Sequence, residues 1–222
     1  MNERKKIILQ LLIGIIGAVA GLMGVNAFNQ YLLMGLPIGL RMILMIVTYW
    51  VIAIAPLCIM LFAKDKLVDY GFVKGKMGIQ LLIGVIIGVC MSCVFTLVPH
   101  LAGKGDWVDN GHHYQYLWQF AYDFLYFIIA IGLVEEFIFR GFLLSKIEKL
   151  TGSTVGAVIG SSILFGLFHF LSGNVMQLFW TSMIGLILCT CRMKIKNCTL
   201  LSLIIAHGVY DALITVWLNV FN

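Results

Sequence analysis

Three observations predict an all-α membrane protein with about seven transmembrane helices. Of the 222 residues, 61% are hydrophobic and only 11% are charged, whereas soluble domains carry roughly 25% charged residues. The mean hydropathy is +1.01. The apolar runs reach the length of about 20 residues that a helix needs to cross a bilayer. No polar linker is long enough to separate two domains, so we expect residues 1–222 to form one membrane-embedded helical domain.

Hydropathy places the expected spans in order along the chain. Their predicted limits are 7–28, 39–63, 78–102, 117–149, 153–171, 175–192 and 198–220. The first follows Arg4, Lys5 and Lys6 in the manner of a signal peptide, but its apolar run is longer than the roughly 7–15 residues of a signal core. We therefore interpret it as a transmembrane helix. The 65–76 connection is too polar to cross and is expected at the cytoplasmic surface.

Loop charges predict the orientation of these spans. One set of connections holds most of the basic residues: Arg4, Lys5, Lys6, Lys64, Lys66, Lys74, Lys76, Lys146, Lys149, Arg192, Lys194 and Lys196. The opposite set holds only Arg41 and Lys104. By the positive-inside rule the N-terminus is cytoplasmic and the C-terminus external, as expected in a bacterial plasma membrane. The net charge of +5 is thus a topology signal, and it does not indicate a nucleic-acid partner.

Two glutamates and an arginine interrupt the fourth apolar run. Charged groups at membrane depth cost several kcal/mol, so they indicate a functional site. Glu136 and Arg140 are spaced i,i+4 in the favourable order and are expected to form an ion pair. Glu135 lies about 100° further round the helix. That position leaves its carboxylate for another partner.

Polar residues in two later spans lie at a matching depth. His169 is 17 residues after Gly152 and Glu135 is 17 residues before it, so both lie about 25 Å from the turn of an antiparallel hairpin. His207 and Asp211 share one face of the last span at i,i+4. We expect these four side chains to converge near mid-bilayer.

Such a cluster suits hydrolysis by one of two routes. A carboxylate beside an imidazole can hold a water and take its proton, while a second imidazole can stabilise an oxyanion. Alternatively, Glu135, His169, His207 and Asp211 can ligate a divalent metal such as Zn²⁺ that activates the water. Ser161 and Ser162 are interpreted as small residues for close helix packing. The acidic and histidine residues of the 103–116 loop are interpreted as solvated.

These motifs, in this order, resemble the CAAX-protease and bacteriocin-processing family of intramembrane proteases, also called the CPBP or Abi family. The family pattern is E-E-x-x-x-R, then F-x-x-x-H, then H-x-x-x-N or a related residue. The matching residues here are Glu135, Glu136, Arg140, Phe165, His169, His207 and Asp211. The resemblance covers a core of residues 116–218 and leaves residues 1–115 as accessory helices.

The resemblance implies a role for each residue. Glu135 would activate water with help from His169. His207 and Asp211 would face the oxyanion. Glu136 and Arg140 would hold the helix. Asp211 stands where Asn is common, and an ionised Asp favours a metal site. The implied partners are the bilayer and a peptide or membrane-protein substrate. The alternative is a bacteriocin-immunity or partner-regulating protein that acts by binding. No sequence feature selects a particular peptide or an oligomeric state.

Overall fold

The computed structural model of the chain describes residues 2–105, 114–171 and 175–221. The structure is 87% helical, and no strand occurs within those ranges. The predicted all-α class is therefore confirmed. Four residues of the loop interpreted as solvated lie outside the described residues: Asp106, Asp109, His112 and His113.

Three helical runs form the N-terminal part of the fold. Their helices are α1 (Glu3–Tyr31), α2 (Ile38–Tyr49), α3 (Ile54–Ala63), α4 (Met77–Ser92) and α5 (Val98–Leu101). A 3₁₀ turn at Trp50–Ala53 joins α2 to α3, and a π-helical segment at Cys93–Leu97 joins α4 to α5. A Cβ at Gly21 would lie only 2.8 Å from the Ile52 Cα. The missing side chain thus lets α1 approach the junction between α2 and α3.

A continuous helical run over residues 117–151 forms the centre of the bundle. It consists of α6 (Leu117–Tyr126), α7 (Leu133–Glu136) and α8 (Leu144–Thr151), joined by π-helical segments at Phe127–Gly132 and Phe137–Leu143. Every residue from 134 to 144 is buried. This run corresponds to the predicted fourth span, and its charged stretch lies in the core rather than at a lipid-facing surface.

A tight hairpin returns the chain from α8 into α9 (Thr154–Phe170). Gly152 has a φ of +68°, a left-handed conformation that ends helices and that glycine adopts without steric cost. The Ser153 hydroxyl then accepts a hydrogen bond of 3.0 Å from the Gly156 amide and caps α9. The predicted hairpin is confirmed. Two further helices complete the fold, α10 (Val175–Lys194) and α11 (Leu200–Phe221).

The polar 65–76 connection is tied to α8. Lys146 Nζ lies 2.7 Å from Asp65 Oδ2, and the Tyr70 hydroxyl donates to the same oxygen at 2.6 Å. Burial by itself would raise the pKa of Asp65, but the hydrogen bonds from Lys146 and Tyr70 outweigh it and lower that pKa. Lys146, predicted as a loop charge, is therefore a buried partner in the packing of this connection.

Five helical runs of the described chain are long and apolar enough to cross a membrane. They are Glu3–Gly35, Ile38–Ala63, Met77–Leu101, Val175–Lys194 and Leu200–Val220. Thr154–Phe170 is apolar but shorter, and the 117–151 run occupies the position of the remaining predicted span. The polytopic prediction is confirmed, and helical runs occupy the positions of all seven predicted spans. That all seven cross the bilayer stays a prediction.

The charge asymmetry of the loops predicts that the two termini lie on opposite faces of the membrane. In vesicles of known orientation, a protease added outside should remove a tag from only one terminus. A third tag inserted in the 65–76 connection serves as the control and should follow the N-terminus. Equal accessibility of both termini from one side would contradict the seven-span topology.

Candidate active site

Two adjacent buried carboxylates form the centre of the site. Glu135 and Glu136 end α7, a helix of four residues between two π-helical segments, and their exposed fractions are 2% and 0%. π-helical insertions are rare and occur often at functional sites, because they change the direction of side chains along a helix. In this run both neighbouring glutamates point into the protein.

The predicted pair between Glu136 and Arg140 is present and fully enclosed. Arg140 Nη1 lies 2.9 Å from Glu136 Oε1, and neither side chain is exposed. The same oxygen lies 2.8 Å from His207 Nδ1 of α11. The Arg140 guanidinium also lies 4.0 Å from the ring centroid of Phe165 in α9, within cation–π range. Glu136 and Arg140 therefore join the 117–151 run to both α9 and α11.

Donors from other helices reach the second π-helical segment. Ser161 Oγ donates a hydrogen bond of 2.7 Å to the Phe139 carbonyl, and the Arg192 guanidinium donates to the Arg140 carbonyl. Ser161 is therefore more than the small packing residue that the sequence indicated. Arg192, predicted as a loop charge, reaches the core. Ser162 bonds within its own helix to the Val158 carbonyl at 2.7 Å.

The two oxygens of the Glu135 carboxylate have different environments. Its Oε1 accepts a hydrogen bond from the Tyr49 hydroxyl of α2. Its Oε2 is buried and has no hydrogen-bond partner among the described residues. This oxygen lies 3.6 Å from His169 Nε2 and 3.8 Å from His207 Nε2. The expected convergence of Glu135 with both histidines is present.

His169 turns its Nε2 atom towards Glu135 by means of its own helix. The other ring nitrogen, Nδ1, lies 2.9 Å from the Phe165 carbonyl. Because a carbonyl only accepts, Nδ1 carries the proton in this contact. In the neutral ring Nε2 then has a lone pair directed at the Glu135 side of the site. Phe165, predicted only as a motif residue, thus orients His169 through its backbone and packs on Arg140 through its ring.

His207 connects the two glutamates with Asp211. Its Nδ1 faces Glu136, while its Nε2 lies 3.4 Å from Asp211 Oδ2. The doubly protonated ring can donate from both nitrogens to these acceptors. The site is closed at Glu136 and Arg140 and more open at His169 and Asp211, whose side chains are 22% and 18% exposed. The site is therefore most accessible from the His169 and Asp211 side.

A divalent metal ion is the alternative occupant that the sequence predicts for this cluster. Within the described part of the chain, no group of three or more His, Cys, Asp or Glu residues is placed to hold one. The set expected from the sequence was Glu135, His169, His207 and Asp211. Their facing donor atoms lie 3.4–3.8 Å apart, and the contact of His207 Nδ1 with Glu136 leaves Nε2 directed at the cluster, as in metal-binding histidines whose other nitrogen donates to a carboxylate. Metal dependence therefore stays a prediction.

Tyr49 is the site residue that the sequence analysis missed. It comes from the second predicted span, 86 positions before Glu135. Helical spacing relates residues of one helix only, so it gave no reason to connect the two. The available signal was a hydroxyl-bearing aromatic residue inside an otherwise apolar span, which is also a common interfacial feature.

The two glutamates are expected to differ in what their neutral variants do. Glu136→Gln leaves Arg140 without its buried counter-charge, a loss that costs about 3–5 kcal/mol. The variant should give less folded protein and a lower midpoint of thermal unfolding. Glu135→Gln leaves Arg140 and His207 with their closer partner Glu136, so this variant should retain nearly normal yield and thermal stability. Equal destabilisation of the two variants in detergent would contradict this division.

Comparison with known proteins agrees with the geometry of the site. Residues 117–213 match the model of the family described as Type II CAAX prenyl endopeptidase Rce1-like. No curated protein and no solved structure matches the chain. The matched segment holds every sequence-predicted site residue and lies inside the predicted 116–218 core, whereas Tyr49 lies outside it. Residues 117–213, which make up less than half of the chain, are thus similar to the CAAX-protease family.

Proposed function

We propose that the protein is an intramembrane endopeptidase in which Glu135 activates a water to hydrolyse a peptide bond. The match of residues 117–213 to the family model supports a protease in general terms. The observation that carries the specific proposal is the position of Glu135 Oε2, which faces His169 Nε2 at 3.6 Å and His207 Nε2 at 3.8 Å. A buried carboxylate oxygen opposite two imidazoles is an arrangement suited to proton transfer.

The water would be held between Glu135 and His169. Their separation of 3.6 Å exceeds a direct hydrogen bond, and polar groups at such a distance are commonly bridged by water. Both atoms can accept from one water, since the Nδ1 proton of His169 leaves Nε2 with its lone pair. The two hydrogens of the water would point at Glu135 and His169. An oxygen lone pair would then face the substrate.

Bond making and breaking follow from this placement. Glu135 Oε2 takes a proton from the water while the water oxygen attacks the peptide carbonyl carbon. This attack forms a tetrahedral oxyanion. Collapse of that intermediate breaks the C–N bond. The proton held by Glu135 passes to the departing nitrogen, so the products are a carboxylic acid and an amine. Glu135 is thereby restored as a carboxylate.

His207 would stabilise the oxyanion. Glu136 accepts from its Nδ1 at 2.8 Å, which fixes the ring and leaves Nε2 at the reaction side beside Glu135 and Asp211. A proton on Nε2 can donate to the developing negative charge. Loss of one such donor reduces kcat by about 100- to 1000-fold in well-studied proteases. Asp211, at 3.4 Å from the same nitrogen, would hold that proton before substrate arrives.

The substrate would be a peptide or protein segment at the membrane. The family name points to the carboxyl-terminal CAAX segment of a prenylated protein, and a bacteriocin or signalling peptide is the second class to test. A suitable panel therefore contains a farnesylated CAAX peptide and unmodified membrane-associated peptides. Each carries a fluorophore and quencher on opposite sides of the central bonds.

Glu135→Gln should abolish cleavage of any panel peptide that the purified wild-type protein cuts, because the amide cannot take the proton from water. The variant should remain folded and monodisperse in the same detergent. Cleavage by Glu135→Gln at the wild-type rate would refute the proposed role of Glu135. In the metal-free route proposed here, cleavage by the wild type continues in a strong chelator. Its complete and metal-reversible loss would favour the metal route instead.

The Asp211→Asn variant is a second way to distinguish the metal-free route from the metal route. If Asp211 only holds the His207 proton, an asparagine can accept the same hydrogen bond through its carbonyl oxygen, and activity should stay within about tenfold of wild type. If Asp211 is a metal ligand, the substitution should raise the metal concentration needed for half-maximal activity. The measurement is the cleavage rate against added Zn²⁺ after chelation.

A further inference from the structure

Tyr49 contacts Glu135 from a part of the chain that the family match does not include. The match covers residues 117–213, whereas Tyr49 is the last residue of α2. Its hydroxyl donates to Glu135 Oε1, the oxygen opposite the one that faces the histidines. Tyr49 is thus the described hydrogen-bond donor to the carboxylate that the proposed reaction uses.

The ring of Tyr49 is held in place by two tyrosines of α6. The Tyr49 and Tyr126 rings meet edge to face with centroids 6.3 Å apart, and the Tyr126 and Tyr122 rings stack at 6.1 Å. The Tyr122 hydroxyl donates a hydrogen bond of 2.9 Å to the Met42 carbonyl in α2. These contacts fix α2 against α6 on the side from which Tyr49 reaches Glu135.

The backbone behind Tyr49 is also constrained. Immediately after it the chain tightens into the 3₁₀ turn Trp50–Ala53, in which Ile52 and Ala53 are almost wholly buried. That turn packs on α1 at Gly21, where no Cβ could be accommodated. The hydroxyl is therefore presented to Glu135 by a junction that is packed on both sides.

We propose that Tyr49 is a positioning residue for the reaction, which fixes Glu135 so that Oε2 alone faces the water. The inference rests on the proposed function. The terminal torsion angle of a glutamate, χ3, has a broad and roughly two-fold distribution. A buried carboxylate without a fixed partner can therefore rotate about this bond. A hydrogen bond at Oε1 holds the plane of the carboxylate and keeps its other oxygen opposite His169 and His207. The N-terminal helices thereby supply part of the active site.

The test compares Tyr49→Phe with Tyr126→Phe. Both variants lose one hydroxyl and keep the ring, but only Tyr49 bonds to Glu135 in the structure. With a panel peptide that wild type cleaves, Tyr49→Phe should lower kcat about 10- to 100-fold, the effect of losing one hydrogen bond to a charged group. KM should change little, because Tyr49 acts through Glu135 and not on the peptide. Tyr126→Phe should resemble wild type in both constants.

A spectroscopic measurement keeps the inference testable if Tyr49→Phe is poorly folded. We would place 3-fluorotyrosine at position 49, and separately at position 126, and record ¹⁹F NMR spectra with and without Glu135→Gln. The signal at position 49 should shift when the carboxylate becomes an amide, while the signal at 126 should stay in place. An unmoved signal at position 49 would overturn the inference.

The outcomes distinguish this inference from the proposed function. If Glu135→Gln is inactive and Tyr49→Phe has wild-type kcat, the positioning role is wrong and the function of Glu135 stands. The positioning role would also be wrong if Tyr126→Phe lowered kcat as much as Tyr49→Phe does. It would likewise be wrong if Tyr49→Phe lowered thermal stability enough to explain its loss of kcat, because Tyr49 would then act only in packing. If Glu135→Gln still cleaves, the proposed function itself fails.

Discussion

The enclosed ion pair between Glu136 and Arg140 is the interaction on which the rest of the site depends. An arginine with no exposed surface is tolerated only with compensating charge and hydrogen bonds. Here Glu136 supplies the charge at 2.9 Å and the Phe165 ring supplies a polarisable face at 4.0 Å. The second contact of Glu136, to His207 at 2.8 Å, extends the cluster to α11. Three helices are thereby fixed around one charged group.

That arrangement gives two adjacent glutamates opposite properties. Glu136 is neutralised by Arg140 and contacts His207, both through Oε1, so its charge is balanced inside the protein. Glu135, one position earlier, accepts a hydrogen bond from Tyr49 at Oε1 and keeps Oε2 directed at two ring nitrogens. The π-helical segments on either side of α7 lie where both carboxylates enter the core. Structural and chemical roles are thus divided between neighbours in sequence.

Helix geometry explains why much of the site could be predicted from sequence. The i,i+4 spacing gives the pairs Glu136–Arg140 and His207–Asp211, and equal distances from Gly152 bring Glu135 level with His169. These are relations within one helix or across one tight hairpin. They need only rise per residue and the position of a turn. Membrane depth makes them clear, because each polar residue stands out against an apolar background.

Contacts between helices distant in sequence could not be obtained in that way. Tyr49 reaches Glu135 across 86 positions and Arg192 reaches the Arg140 carbonyl across 52. Both depend on which helices pack together and on their rotation, and hydropathy fixes neither. The inward contact of Arg192 was also not expected, because a basic residue at a helix end normally indicates a cytoplasmic loop. Its side chain instead points inward to an acceptor.

The proposed reaction requires that Glu135 and His169 hold a water while Glu136 is paired with Arg140. The most direct measurement is an electron cryomicroscopy map of the protein in lipid nanodiscs, at a resolution that shows ordered water. We expect a density peak within hydrogen-bond distance of both Glu135 Oε2 and His169 Nε2, with Tyr49 bonded to Glu135 Oε1. A His169 ring turned to lipid, or a Glu135 carboxylate paired with Arg140, would contradict it.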